Sequence, residues 1–184
     1  MARPAVFLDR DGVLNEVCFH GGVASTPRSA EDLVIDQSTA YQLGRLRESG
    51  FALIVVSNQP DVARGGLLPQ DLAAINEALR EALPVDAIYV CPHDRSDGCG
   101  CRKPKPGLIH QAAAEWGIDL SRSWLIGDRW VDLAAAEAAG VAGVLLECAW
   151  SWAPTSEGAP PRGLAPVFSD VRLAGCITQI LDSS

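Results

Sequence analysis

The chain has 184 residues, 48% of them hydrophobic and 21% charged, proportions that exclude disordered and fibrous polypeptides and suit one globular unit with its own core. Fifteen Lys and Arg against 23 Asp and Glu give a formal charge of −8, so no broad basic field exists for a nucleic-acid backbone or an anionic membrane, and an anionic ligand must be met locally. The longest apolar run, Phe51 to Val56, is far below the roughly 20 residues that cross a bilayer, and the N-terminus has no export signal, so a cytoplasmic protein is expected.

Short β-rich runs alternate with helical patterns along the chain, the order that produces a parallel sheet with crossover helices. The first strand is expected at Ala5–Leu8. A helix capped by Ser38 or Thr39 runs through Arg47 and stops at Gly50, ahead of a strand at Ala52–Val56. Pro69 suits a first helical turn, and the helix Gln70–Leu83 places Leu72, Ile75, Leu79 and Leu83 on one apolar face. A strand at Ala87–Val90 is followed by a helix over Pro106–Trp116 with a stop at Gly117. A strand at Trp124–Ile126, a helix over Val131–Ala139 ending at Gly140 and a strand at Val141–Leu146 come next. The stretch Ser151–Pro166, rich in proline and glycine, suits a surface loop leading to a short strand near Val167–Phe168 and a closing helix from about Asp170 to Leu181. The expected architecture is one doubly wound α/β domain over residues 1–184, mainly parallel. The stretch from Val56 to Asp71 leaves no room for a large cap.

Ligands of open parallel sheets sit beyond the carboxyl ends of the strands, and four polar segments follow apolar runs here. They are Asp9-Arg-Asp11-Gly-Val-Leu-Asn15, then Ser57-Asn58-Gln59, then Arg102-Lys103-Pro-Lys-Pro-Gly107, then Gly127-Asp128-Arg129-Trp-Val-Asp132. Residues two apart in extended chain point the same way, so Asp9 and Asp11 face one small volume and need a cation. With Asp128 as a third oxygen ligand the set suits Mg²⁺, which keeps waters and binds substrate phosphate. Asp9 is then placed to attack phosphorus, and Asp11 to protonate the leaving oxygen and later activate water. Lys103 and the Ser57 hydroxyl can clamp the remaining phosphoryl oxygens, and Gly12 lets the chain turn away. By itself Asp-x-Asp-Gly favours a plain turn; the four segments in this order argue against that.

A second cluster reads Cys91-x-His93, five residues, Cys99-x-Cys101. Three thiolates and one imidazole complete a tetrahedral zinc set without an open position, so a structural Zn²⁺ is expected, ordering a loop of few apolar residues and fixing Arg102 and Lys103. A Cys91–Cys99 or Cys91–Cys101 disulfide, or free thiols beside a surface histidine, are the other readings.

Over roughly residues 5–147 the four segments resemble the haloacid dehalogenase superfamily of phosphatases, which implies a Rossmann-like fold of that type. The resemblance assigns the phosphoryl acceptor to Asp9, the general acid/base to Asp11, the clamp to Ser57 and Lys103, the magnesium ligand to Asp128 and an orienting role to Asp132. The Cys/His spacing is similar to the zinc loop of a branch without large caps that holds heptose bisphosphate phosphatases and histidinol-phosphate phosphatases. Within that branch, Ser57–Gly65 and Arg102–Leu108 look more like the heptose group, with Pro60-Asp61 and the segment Val17–Gly22 departing from its pattern. The resemblance implies that Asn58, Gln59, Arg102 and Arg129 contact substrate, and Arg64 is read with them. Specificity is expected on the loops 15–28, 58–66 and 94–100, the substrate is a small phosphate ester such as a sugar bisphosphate, and the protein is a monomer by default.

Two other function classes fit less well. A phosphoacceptor receiver module carries its acceptor aspartate after the third strand, where this chain runs into cysteines, and Lys103 precedes Asp128. A zinc-centred nucleic-acid module built on Arg95, Arg102, Lys103 and Lys105 lacks interleaved aromatics. His20 suits either substrate contact or a solvated loop, His110 a helix face, and Trp130, Trp150 and Trp152 core or rim packing ahead of lining the mouth of the pocket.

Overall fold

The computed structural model describes residues 2–20 and 23–184, and the side chains of residues 19, 20, 23 and 24 fall outside the description. The side chain of His20 and both glycines that follow it therefore lie outside the described residues. In chain order the elements are β1 (Ala5–Leu8), β2 (Cys18–His20), β3 (Val23–Ser25), α1 (Thr39–Glu48), β4 (Ala52–Asn58), α2 (Pro69–Ala82), β5 (Ala87–Cys91), α3 (Gly107–Trp116), β6 (Trp124–Gly127), α4 (Trp130–Ala139), β7 (Ala142–Leu146), β8 (Phe168–Asp170) and α5 (Leu173–Asp182). Six strands form one sheet in the order β5-β4-β1-β6-β7-β8, every pairing parallel, while β2 and β3 make a separate antiparallel hairpin.

Alternation along the strands divides the core between the two faces of the sheet. Val6, Leu8, Leu53 and Val55 pack with Leu43 and Leu46 of α1, Leu79 of α2 and Ile177 and Ile180 of α5. Ala5, Phe7, Ala52 and Ile54 face the other way, onto Leu108, Ile109 and Ala112 of α3 and Ala135 and Ala136 of α4. Both faces of β1 and β4 are covered, which is why these strands read as unbroken apolar runs instead of alternating ones. Each fully buried Leu, Ile or Phe there contributes about 1.5–3 kcal/mol.

Gly117 and Gly140 end α3 and α4 in the left-handed conformation that a Cβ would strain. The cap expected from Ser38 is different: Ser38 is the residue before α1 but its side chain does not cap, and instead Asp36 Oδ1 accepts from the Ser38 N–H at 2.8 Å. Strands β4, β5 and β6 run past their expected ends to Asn58, Cys91 and Gly127, so several chemistry-bearing residues sit on the sheet and not in loops. The β2–β3 hairpin, β8 at Phe168–Asp170 and the start of α5 at Leu173 differ from the reading by sequence. No helix among the described residues is long and apolar enough to cross a membrane.

From β1 the chain moves to β4 and β5 on one side, then crosses to β6, β7 and β8 on the other. The carboxyl end of β1 is therefore the point where the strand order reverses, and a crevice opens there.

Candidate active site

Asp9, the first residue beyond β1, lines a cleft of about 510 Å³ together with Asp11, Asn58, Lys103, Asp128 and Asp132. Lys103 is the hub. Its ammonium makes ion pairs with Asp9 Oδ1 at 2.8 Å and Asp132 Oδ1 at 2.6 Å and donates to the Val56 carbonyl at 2.8 Å, so two carboxylates and a main-chain oxygen converge on one buried cation. Burial opposes the charge on Lys103, but Asp132 and Asp9 more than offset it and raise its pKa. Asp132 is fully buried, accepts the Arg129 N–H at 3.1 Å as an N-terminal cap of α4, and so ties that helix to the lysine. Gly127 has to be glycine for this packing, since a Cβ there would meet the Asp132 Cβ at 2.2 Å.

Asp9, Asp128 and Asp132 bring carboxylate oxygens within 4.8 Å of one another. Burial pushes Asp9 up to about 7, against the pull of Lys103 and with the push of Asp132 and Asp128. Burial and Asp132 likewise push Asp128 up to about 6, although a hydrogen bond from Trp150 Nε1 at 2.6 Å works the other way. Three carboxylates around one ammonium leave unbalanced negative charge, and oxygen donors of this kind suit a small hard dication. Gly12, at φ +87°, carries the chain past this cluster where a Cβ would lie 2.4 Å from Asp128 Oδ2.

Of the carboxylates read by sequence as a magnesium set, Asp9 and Asp128 stand in this cluster, with Asp132 as the third member, and the Asp11 side chain does not. The Asp11 carboxylate is turned to Arg10, whose NH2 donates to Oδ2 at 3.0 Å, to Asn15 Nδ2 at 3.1 Å and to Gln59 Nε2 at 2.7 Å. Gln59 Nε2 also donates to Ser57 Oγ at 2.8 Å, so one buried amide orients both the second aspartate and the serine. Asn58 exchanges two 3.0 Å hydrogen bonds with the main chain of Lys103. Both amides, read by sequence as substrate-holding groups, are thus engaged by the protein itself, although the buried Gln59 Oε1 has no hydrogen-bond partner among the described residues. Arg64 is held by Asp94 at 2.6 Å, and Arg102 Nε donates to Glu157 at 2.7 Å. Arg129 lines the cleft beside Asp128.

Beyond β5, Cys91, His93, Cys99 and Cys101 also bring their ligand atoms within 4.8 Å of one another. The Cys91–Cys101, Cys91–Cys99 and His93 Nδ1–Cys101 separations are 3.2, 3.6 and 3.3 Å. A tetrahedral zinc with arms of about 2.3 Å has edges of about 3.8 Å, so the four donors fit one ion, whereas a disulfide needs about 2.05 Å. All six cysteines are free thiols.

Three residues take roles at the site that sequence pattern alone does not assign. Arg10 is fully buried between Asp11 and Asn76 of α2, to which its NH1 donates at 2.9 Å; its place between two aspartates was the one available hint. Trp150 reaches Asp128 from beyond β7, and Glu157 reaches Arg102 from the proline-rich loop. His110 is exposed on α3, away from the cleft residues.

Comparison with known proteins bears on this geometry. A model of HAD-hydrolase-like proteins matches residues 100–171. The D-glycero-β-D-manno-heptose-1,7-bisphosphate 7-phosphatase of Haemophilus ducreyi is 37% identical over 153 residues, which cover 77% of this chain and 81% of that one. The protein of the same name from Bordetella bronchiseptica is 32% identical over 163 residues, covering 86% and 88%. The crystal structure of D,D-heptose 1,7-bisphosphate phosphatase from B. bronchiseptica, complexed with magnesium and phosphate, superposes with a TM-score of 0.78 at 29% identity, over 98% of this chain and 99% of that one.

Proposed function

Since the chain belongs to the D-glycero-β-D-manno-heptose-1,7-bisphosphate 7-phosphatase family of HAD-like hydrolases, we propose that it removes the 7-phosphate of that sugar bisphosphate through a phosphorylated Asp9. The observation that carries the mechanism is the asymmetry of the Asp9 carboxylate. Its Oδ1 accepts from Lys103 and from the Arg10 N–H at 2.8 Å each, while Oδ2 has no hydrogen-bond partner among the described residues. Oδ2 forms the bond to phosphorus as the bond to the sugar C7 oxygen breaks, and Asp11 gives that oxygen its proton. Asp11 then takes a proton from the water that attacks phosphorus and releases phosphate, regenerating the Asp9 carboxylate. Lys103, paired with Asp9, and the Ser57 hydroxyl are assigned to hold phosphoryl oxygens. A magnesium ion held by Asp9 and Asp128 would supply the positive charge that lets an anionic phosphate approach an anionic nucleophile.

The B. bronchiseptica relative, whose crystal structure holds magnesium and phosphate, supports this reading. Phosphate release from D-glycero-β-D-manno-heptose 1,7-bisphosphate and from L-histidinol phosphate, measured side by side with magnesium, tests it. The heptose is expected to win by at least about 10²-fold in kcat/KM, inside the roughly 10⁴–10⁵ that a site built to hydrogen-bond substrate hydroxyls can reach. Equal turnover, or preference for histidinol phosphate, overturns the assignment.

The Cys/His cluster is proposed as a structural zinc site. It joins the end of β5 to Arg102 and Lys103, so an ion there fixes the lysine on which the carboxylates converge. Protein purified without chelators is expected to contain one zinc per chain by elemental analysis. Cys99→Ser is expected to lower both the zinc content and Tm, the latter by about 10 °C, as the loss of a few kcal/mol does in a chain of this size. Zinc-free protein with an unchanged Tm would refute the site.

A further inference from the structure

Four arginines line the cleft, and they differ in what holds them. Arg64 pairs with Asp94 and Asp61, and Arg28 lies 3.8 Å from Asp61, all with side chains partly in solvent, where ion pairs are weak and easily exchanged. Arg129 makes no ion pair among the described residues. Arg102 is different: it is 9% exposed and enclosed on the cleft wall by the 151–166 loop. Its Nε donates to Glu157 Oε1 at 2.7 Å, its NH2 to Ser156 Oγ at 3.2 Å, and its NH1 to the His93 carbonyl at 3.4 Å.

Glu157 is also presented by a built turn. Thr155 and Gly158 exchange main-chain hydrogen bonds of 2.8 and 3.0 Å, Gly158 takes φ +118°, and the Glu157 N–H donates to Thr155 Oγ1 at 3.1 Å. Arg95 adds a bond from its NH1 to the Ser156 carbonyl. A short, pinned turn therefore delivers a carboxylate to a guanidinium on the wall of the cleft.

We infer that Glu157 is a specificity-determining residue: by occupying Arg102 it sets how tightly the enzyme holds the distal anion of a sugar bisphosphate relative to the matching monophosphate. The inference rests on the sugar-phosphate reading above. A second phosphate must either displace Glu157 from Arg102 or bind beside a like charge, whereas a hydroxyl at the same place meets neither penalty.

Glu157→Gln keeps the turn and an acceptor for Arg102 but removes the competing charge. The probes are fructose 1,6-bisphosphate and fructose 6-phosphate, used as competitive inhibitors of 4-nitrophenyl phosphate hydrolysis. The variant is expected to improve the ratio of their inhibition constants in favour of the bisphosphate by about tenfold, in the range measured for close charge pairs. Adding Arg102→Gln should cancel that gain, because the cation it depends on is gone. An unchanged or reversed ratio overturns the inference, as does failure of either ester to compete. Failure of the heptose reading shows elsewhere, as wild-type protein that hydrolyses 4-nitrophenyl phosphate but releases nothing from the heptose bisphosphate.

Discussion

Asp9→Asn is expected to reduce phosphate release by at least about 10⁴-fold while leaving the fold intact, since an amide keeps the Oδ1 acceptor for Lys103 and Arg10 but is no nucleophile. Near-normal turnover in this variant would remove Asp9 as the phosphoryl acceptor. The same substitution has a stability signature in metal-free protein. Asp9 is pushed up to about 7, above its unfolded value of about 4, so its ionisation works against the fold, and the wild type loses stability as pH rises through 7. The asparagine does not titrate. The Tm of Asp9→Asn relative to wild type should therefore increase between pH 5 and pH 8; a difference independent of pH would mean that the carboxylate is not destabilised by its surroundings.

Lys103→Met should be the most damaging single change at the site. Methionine fills nearly the same volume, but it leaves Asp9, Asp132 and the Val56 carbonyl without their shared donor. Removing one partner from a buried ion network costs about 3–5 kcal/mol, which lowers Tm by about 10 °C in a chain of this size. Activity should fall with it, because the lysine both holds Asp9 and faces the phosphate. Adding Asp132→Asn relieves one uncompensated charge and should restore part of the Tm but none of the turnover. A single variant with wild-type Tm would show that the lysine is not the hub of this cluster.

Much of the molecule was legible in the sequence because unbroken apolar runs mark its central strands and helical spacing marks its helices. The runs at β1 and β4 are apolar throughout, as strands covered on both faces must be, and Leu72, Ile75 and Leu79 follow helical spacing. Asp9, Asp128 and the Cys/His cluster could be picked out because such polar residues directly follow apolar strands. What escaped notice has physical reasons. Strands of three residues, as in β2 and β3, are too short for a period to show. A buried arginine such as Arg10 looks like any surface arginine until its three-dimensional partners are known. The partners that hold the Asp11 carboxylate, Arg10, Asn15 and Gln59, are assembled by the fold, and no spacing along the chain gives them away. Glu157 and Trp150 act across 55 and 22 residues of intervening chain, a distance over which local pattern carries no information.

The position of β1 has a further consequence for how the protein is made. It is the earliest strand in the chain and lies in the middle of the sheet, with β4 on one flank and β6 on the other. Synthesis proceeds from the N-terminus, so the Ala5–Leu8 ribbon gains its first neighbour once Asn58 has emerged and its second only after Gly127. At about 5–20 residues per second the interval is about 4–14 s, during which an apolar edge with open hydrogen-bonding groups is available to any other nascent chain. The nucleophile sits at the end of that edge. Whatever protects the growing polypeptide in those seconds protects the future catalytic centre, and crowded overproduction at high temperature places its hazard there.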